Sequence, residues 1–197
     1  MDDRKKIHPA DAADLFARER LSAKRYGHTL RVADTAEDLA RVHGLDPDRA
    51  RLAALLHDAA REVSSGAFLE LAEGWNLPVG GPERESPKLL HGPVAAELAR
   101  RELGVEDGEV LEAIREHTTG RPGMGPLSLV LYVADKIEPA RVYPSGENLR
   151  RLARLDLRGT GAESLRRSIA HNEERGHPTH PASVDALGWL EEAEEGA

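Results

Sequence analysis

The 197-residue sequence contains no cysteine. This absence excludes disulfide bonds, thiolate metal ligands and a cysteine nucleophile, so nitrogen and oxygen atoms must hold any bound metal. Long apolar runs are also missing: the longest, at 52–56 and 129–134, fall far short of the ~20 residues that span a bilayer. Residues 2–6 are all charged and no apolar stretch follows them, which argues against a signal peptide. We therefore expect a cytoplasmic protein with no membrane partner.

Aromatic residues are scarce, at 4% of the chain, so the core must be built from Ala, Leu and Val. Such a composition suits closely packed helices. The formal net charge is −8, with acidic and basic residues interleaved and no long basic run. This pattern argues against a nucleic-acid partner. A small anionic ligand stays open, because a local cluster of His and Arg can bind phosphate within an acidic protein.

Helix-capping residues, glycines and prolines divide the sequence into about six to eight helices, without an alternating strand or a repeat. We expect an all-α fold with one domain over residues 1–197, a core from about 18 to 190 and an acidic tail at 191–197. The loop at 176–181 is expected to be exposed, with closure over a ligand as the alternative. The predicted helices lie at about 22–43, 47–60, 65–73, 92–103, 107–118, 127–138, 147–155 and 162–174.

Several histidines and aspartates lie in equivalent places, each at the end of an apolar stripe on a predicted helix. One such histidine is more often a hydrogen-bonded core residue than a ligand, but the full set favours a metal site. A divalent cation would compensate the buried carboxylates. Nitrogen and oxygen ligands suit Fe, Mn, Co or Zn better than Mg or Ca. The set comprises His28, His57, Asp58, His91, His117 and Asp135.

The order of these residues resembles a known pattern. His28, then His57-Asp58, then Asp135 is similar to the H…HD…D pattern of the HD superfamily, mostly metal-dependent phosphohydrolases. The blocks RYGHT, LHD, HGPVA, IREHTTGRPGM and YVADKIEPAR, which start at residues 25, 56, 91, 114 and 132, resemble those of the YqeK family. That family splits diadenosine tetraphosphate symmetrically into two ADP. The resemblance covers about 18–190 and implies an HD-domain helical bundle with this activity.

The resemblance also implies roles for single residues. The metal ligands would be His28, His57, Asp58 and Asp135, with iron as the expected metal and Mn or Co as alternatives. Whether His91 or His117 also contacts a second metal stays open. Arg61 stands where the family usually has lysine, and its guanidinium can still bind phosphate oxygens. The implied catalytic residues are Asp58, Arg61, His91, His117 and Asp135. The implied contacts to a dinucleoside polyphosphate or ADP are Arg25, Arg61, His91, His117, Thr118, Arg121, Asp135, Arg141 and His177.

Two other functions stay open at the level of the sequence. One is a different HD phosphohydrolase, such as a nucleotidase or a cyclic-nucleotide phosphodiesterase. The other is a nucleotide-binding regulator without turnover, against which the complete ligand set argues. Ala-rich helix faces would also permit a homodimer.

Overall fold

A computed structural model describes residues 8–143 and 146–192, and every regular element in these ranges is a helix. This confirms the predicted all-α class, although eleven α-helices exceed the expected six to eight. A 3-10 turn covers Pro87–Leu90. The α-helices are α1 (Pro9–Arg20), α2 (Ala23–Val42), α3 (Pro47–Leu56), α4 (Ser65–Gly74), α5 (Gly81–Glu85), α6 (His91–Leu103), α7 (Gly108–Glu116), α8 (Pro126–Ile137), α9 (Gly146–Ala153), α10 (Leu157–Glu174) and α11 (Pro181–Glu192).

Aspartate caps start several helices. Asp46 accepts hydrogen bonds from the N–H groups of Asp48 and Arg49, at 2.9 and 3.2 Å, and Pro47 occupies the first position of α3. Asp107 caps α7 in the same way. These side chains satisfy N–H groups that have no partner within the helix. The starts of α3 and α7 therefore follow the sequence signals closely.

Two helix boundaries differ from the predicted ones. The helix expected to reach residue 60 ends at Leu56, and residues 57–60 form a turn. The helix expected from residue 162 starts at Leu157, because Asp156 accepts a hydrogen bond from Gly159 N–H at 2.8 Å. Glycines in its first turns conceal this start in the sequence. Gly161 gives α10 room against α8, since a Cβ atom there would lie 2.6 Å from Leu129 Cδ1 and that side chain would have to shift.

Helix α8 lies at the centre of the fold. All its residues from Leu127 to Asp135 are buried, and it packs against α2, α3, α7, α9 and α10. Small alanines on α2 and α3, including Ala36 and Ala53, let these helices approach closely. The aliphatic core is continuous from Ala13 to Leu190, as the composition indicates.

The one-domain extent stays a prediction, because residues 1–7 and 193–197 lie outside the described ranges. Within those ranges, no helix has both the length and the apolar character needed to cross a bilayer.

Candidate metal centre

The predicted His and Asp residues come together where several helices end. His28 lies in the first half of α2, and Asp135 lies in the last turn of α8. His57 and Asp58 follow the end of α3, His91 opens α6, and His117 follows the end of α7. All are buried except His28, which is largely buried. Five elements of the sequence thus supply one cluster.

Backbone carbonyl groups orient three of the imidazoles. In each case Nδ1 lies 2.6–2.7 Å from the carbonyl oxygen three residues earlier in the chain. A carbonyl only accepts, so Nδ1 must carry a proton, and in a neutral ring Nε2 then presents its lone pair. The pairs are His57 with Ala54, His91 with Lys88, and His117 with Ile114.

The protein supplies too few hydrogen-bond donors for the Nε2 lone pairs of His91 and His117. The Nε2 atoms of His91 and His117 lie 3.0 Å apart, and both are acceptors. Burial, reinforced by Arg61, lowers the pKa of His91 to about 4, and burial lowers that of His117 well below its ordinary value. Both rings are therefore neutral near pH 7. The Thr118 hydroxyl lies 3.1 and 3.2 Å from the two nitrogens, but its single proton serves only one of them.

A divalent cation fits this arrangement. His57 Nε2 is buried and has no hydrogen-bond partner among the described residues. Two ligand nitrogens about 2.1 Å from one ion, at right angles, are about 3.0 Å apart, which matches the spacing of His91 and His117. A buried polar atom without a partner is unfavourable, and bound metal would satisfy these nitrogens.

Asp58 belongs to two groups of ligand atoms. One group contains His28, His57 and Asp58, and the other contains Asp58, His91 and His117; within each, the atoms lie within 4.8 Å of one another. Asp58 Oδ1 is 3.4 Å from His91 Nε2, while Oδ2 is 3.8 Å from His57 Nε2. Burial raises the pKa of Asp58, but the Coulombic interaction with the neighbouring imidazoles, that of His57 first, lowers it by more, so the carboxylate is ionised. The geometry provides two positions for a cation.

Glu138 holds His28 from the side opposite to the cluster. His28 Nε2 lies 3.1 Å from Asp135 Oδ1, and its Nδ1 lies 3.2 Å from Glu138 Oε1. Glu138 is 3% exposed and is fixed by Arg31 Nε at 2.7 Å. A carboxylate on the outer nitrogen orients a ligating imidazole and increases its basicity. Sequence reasoning missed this residue, although it lies in the block YVADKIEPAR.

Positive side chains surround both aspartates. Arg25 Nη1 donates to Asp58 Oδ2 at 3.2 Å, and Arg61 Nε lies 4.0 Å from Asp58 Oδ1. Arg61 is partly exposed, which leaves its guanidinium available to a ligand. These arginines were predicted as nucleotide contacts, and they lie at the cluster.

On the other side, Arg141 Nη2 donates to Asp135 Oδ1 at 3.0 Å, and Lys136 Nζ donates to Oδ2 at 3.1 Å. Burial lowers the pKa of Lys136, but the Asp135 carboxylate raises it by more. The net shift is upward, so the ammonium group stays charged. Arg141 was predicted from the sequence. Lys136 was not, because a lysine next to an aspartate gives no signal of its own.

Two predicted contacts lie away from the cluster. Arg121 forms ion pairs with Glu116 and, at 3.5 Å, with Glu112 on α7. His177 is exposed and lines a cavity of about 990 Å³ next to the centre, here called the large cleft. Their roles as nucleotide contacts stay predictions. The large cleft lies between the segment 82–89, α8, α10 and the loop 177–183, and its lining includes Thr118, Lys136, Ser168, His171, Asn172 and His180.

The loop at 176–181 therefore borders the large cleft while part of it is exposed. His180 Nε2 lies 2.9 Å from Glu83 Oε1 and joins this loop to α5. The cleft is of the size that ligands occupy.

Comparison with known proteins identifies the arrangement. The sequence profile described as "HD domain" matches residues 25–140, a range that contains the complete cluster. The chain belongs to the HD domain family. This match confirms the predicted HD fold. It also confirms the resemblance that was inferred from the order of His28, His57-Asp58 and Asp135.

Three relatives refine the position within the HD family. The symmetrical bis(5'-nucleosyl)-tetraphosphatase of Bacillus subtilis is 36% identical over 173 residues, which cover 88% of this chain and 92% of that protein. The protein of the same name from Halalkalibacterium halodurans is 38% identical over 175 residues, covering 86% and 90%. The crystal structure of a predicted HD superfamily hydrolase involved in NAD metabolism from Clostridium acetobutylicum has a TM-score of 0.90 at 33% identity, covering 93% and 97%. The chain is thus a homologue of the YqeK-type tetraphosphatases.

Proposed function

We propose that this HD domain protein hydrolyses diadenosine tetraphosphate symmetrically to two ADP at a divalent metal centre. The observation that carries the proposal is a complete His and Asp cluster in a chain so similar to two symmetrical tetraphosphatases. The basic rim of the cluster supports an anionic substrate, because Arg25, Arg61 and Arg141 carry charge in an otherwise acidic protein.

The cluster would hold two cations that share Asp58. His28, His57, Asp58 and Asp135 would hold the first, and Asp58, His91 and His117 the second. Iron is the proposed metal, with Mn or Co as alternatives, since the donor set is nitrogen and oxygen. A bound divalent ion polarises a phosphoryl oxygen and lowers the pKa of coordinated water.

The side chains around the cluster would bind the phosphate chain and one nucleoside. Arg25 and Arg61 on one side, with Lys136 and Arg141 on the other, would bind the oxygens of the phosphate chain. Thr118 can donate a hydrogen bond to an oxygen beside His91 and His117. The large cleft would bind one nucleoside, with His177 at its edge.

The bond changes are those of an in-line substitution. The oxygen of water forms a bond to one of the two central phosphorus atoms, and the water gives up one proton to solvent. The bond from this phosphorus to the central bridging oxygen breaks, and the bridging oxygen leaves on the second ADP. Asp58 or Asp135 would orient the attacking water, while the cationic side chains stabilise the negative charge on the departing ADP.

A pair of aspartate variants tests the proposal. Asp58→Asn removes the shared carboxylate, and we expect kcat to fall on the order of 100-fold or more together with loss of bound metal. Asp48→Asn, on the exposed face of α3, is the matched control and keeps both properties. Hydrolysis and metal content are measured on protein loaded with Fe²⁺, Mn²⁺ or Co²⁺. An Asp58→Asn protein that keeps its metal and its activity would contradict the proposal.

A further inference from the structure

A second cavity adjoins the large cleft. It measures about 510 Å³, lies between α8, α9 and α10, and is here called the Tyr143 cleft. The two cavities share Lys136, Ser168 and His171, so they meet beside the metal centre. The lining of the Tyr143 cleft also includes Arg141, Tyr143, Leu149, Ser164 and Arg167.

The walls of the Tyr143 cleft suit an aromatic ring. The Tyr143 hydroxyl donates to the Lys136 carbonyl at 3.1 Å, and the ring lies against Gly146, where an added Cβ would be 3.4 Å from Cε2. The Arg167 guanidinium is 5.9 Å from the ring centroid, and the buried side chain of Leu149 adds an apolar surface. A fixed aromatic ring beside a cationic group is a typical platform for a nucleobase.

A polar group in the same cavity lacks a partner. Ser164 lines the Tyr143 cleft, is 3% exposed, and its Oγ has no hydrogen-bond partner among the described residues. A buried hydroxyl without a partner is destabilising by itself. A hydrogen-bonding edge of a ligand in this cleft would satisfy it.

Both cavities reach the metal centre, but from different sides. Thr118 belongs to the large cleft and lies 3.1 Å from His91 Nε2. Arg141 belongs to the Tyr143 cleft and donates to Asp135 at 3.0 Å. Lys136 stands between them and contacts the same Asp135 carboxylate.

We propose that the Tyr143 cleft binds the second nucleoside of the substrate, with the base against Tyr143 and the adjoining phosphates near Arg141 and Arg167. The inference rests on the proposed function. Cleavage at the central bridge requires that the middle of the phosphate chain lie at the metal centre, with one nucleoside to each side. Two clefts that meet at Lys136 provide this arrangement, and one cleft alone would leave the second nucleoside in solvent.

The test compares two substrates with the same phosphate chain. Diadenosine tetraphosphate has two nucleosides, whereas adenosine 5'-tetraphosphate has one. The metal-loaded wild-type protein should prefer the first substrate in kcat/KM. Tyr143→Ala and Arg167→Ala should each reduce this preference by at least about fivefold, the lower bound for a lost base–aromatic stack.

Matched variants separate binding from general damage. Arg166→Ala removes the neighbouring arginine of α10, which also pairs with Glu163 but lines no part of the Tyr143 cleft, and it should keep the wild-type preference. Tyr143→Phe keeps the ring and loses the bond to the Lys136 carbonyl, so it should restore most of the preference that Tyr143→Ala loses. Equilibrium dialysis with ADP measures binding without turnover. Two ADP molecules should bind to each wild-type chain, and Arg167→Ala should lower the affinity for one of the two.

The outcomes of this test are distinct. A reduced preference in Tyr143→Ala and Arg167→Ala, with Arg166→Ala unchanged, supports the inference. Equal preference for the two substrates in the wild type, or an unchanged preference in both variants, overturns it and leaves the proposed function standing. No hydrolysis of either substrate with any metal overturns the proposed function and the inference together.

Discussion

Three imidazoles of the metal centre each bind a carbonyl group near the end of a helix or turn. Ala54 lies in the last turn of α3 and Ile114 in the last turn of α7, where carbonyl groups lack a partner within the helix. The following histidine donates to that carbonyl, and its other nitrogen then faces the cluster. A single hydrogen bond thus completes the helix end and sets the tautomer of the ligand.

The role of Glu138 gives a prediction at this scale. Glu138→Gln removes the charge that Nδ1 of His28 faces, so we expect metal affinity to fall about 10- to 100-fold. Competition with a chelator measures the affinity, and Glu147→Gln on the exposed face of α9 is the control. Equal affinities in the two variants would show that Glu138 does not support the ligand.

Apolar spacing predicted that His28, His57, His91 and His117 point inward, and the structure brings them together. The sequence could not predict Lys136 or Glu138. Their roles depend on where α8 ends relative to α2, which no local pattern records. Periodicity shows which face of a helix is buried, but not which side chains meet across two helices.

At the scale of elements, helices that begin at a strong capping residue start where the sequence predicts. Asp46 and Asp107 are strong capping signals, and α3 and α7 begin there. Helix α1 was missed because its cap is His8, an uncommon capping residue, whose Nδ1 accepts from Ala10 N–H at 3.3 Å. The turn at 57–60 was also missed, since Ala59 and Ala60 favour a helix. This turn places His57 and Asp58 at the centre.

The contact between α6 and α7 gives a prediction about packing. A Cβ atom at Gly92 would lie 2.9 Å from the Arg115 carbonyl oxygen and 3.4 Å from His117 Cε1. Gly92→Ala should therefore destabilise the fold by about 1–3 kcal/mol and weaken metal binding at His91 and His117. Chemical denaturation and metal titration measure the two effects. Gly108→Ala, where a Cβ meets no atom within 4 Å, should keep or increase stability; a similar loss in both variants would contradict the packing argument.

The cap of α7 gives a prediction about pH. Hydrogen bonds from Arg49 hold the pKa of Asp107 below its ordinary value, with two N···O contacts of 2.6–2.7 Å. A carboxyl group whose pKa is lower in the folded state stabilises the fold when the pH is above its ordinary pKa. This stabilisation is lost as the pH falls through the lowered pKa. Asp107→Ala should cost about 1–2 kcal/mol at pH 7, and the difference from wild type should narrow below about pH 4.

Denaturant unfolding at pH 7 and pH 3 measures this difference. Asp185→Ala, at an exposed position of α11, serves as the control. A difference that is constant between the two pH values would show that the Arg49–Asp107 pair does not contribute through its charge.

At the scale of the molecule, an acidic protein concentrates positive charge around one site. The net charge of −8 coexists with Arg25, Arg61, Lys136 and Arg141 at the centre. The composition predicted the helical class, and the order of the His and Asp residues predicted the HD fold. The two clefts could not be predicted, since they form where α9 and α10 pack against α8 and α11 packs against α10. The homodimer that Ala-rich faces would permit stays a prediction.

The most direct test of the central claim is the identity of the reaction products. Metal-loaded protein is incubated with diadenosine tetraphosphate, and the nucleotides are separated by chromatography. We expect ADP as the sole product, formed only with a divalent metal and lost on chelation or in His57→Ala. ATP together with AMP would mean attack away from the central bridge, and it would contradict symmetrical cleavage at this centre.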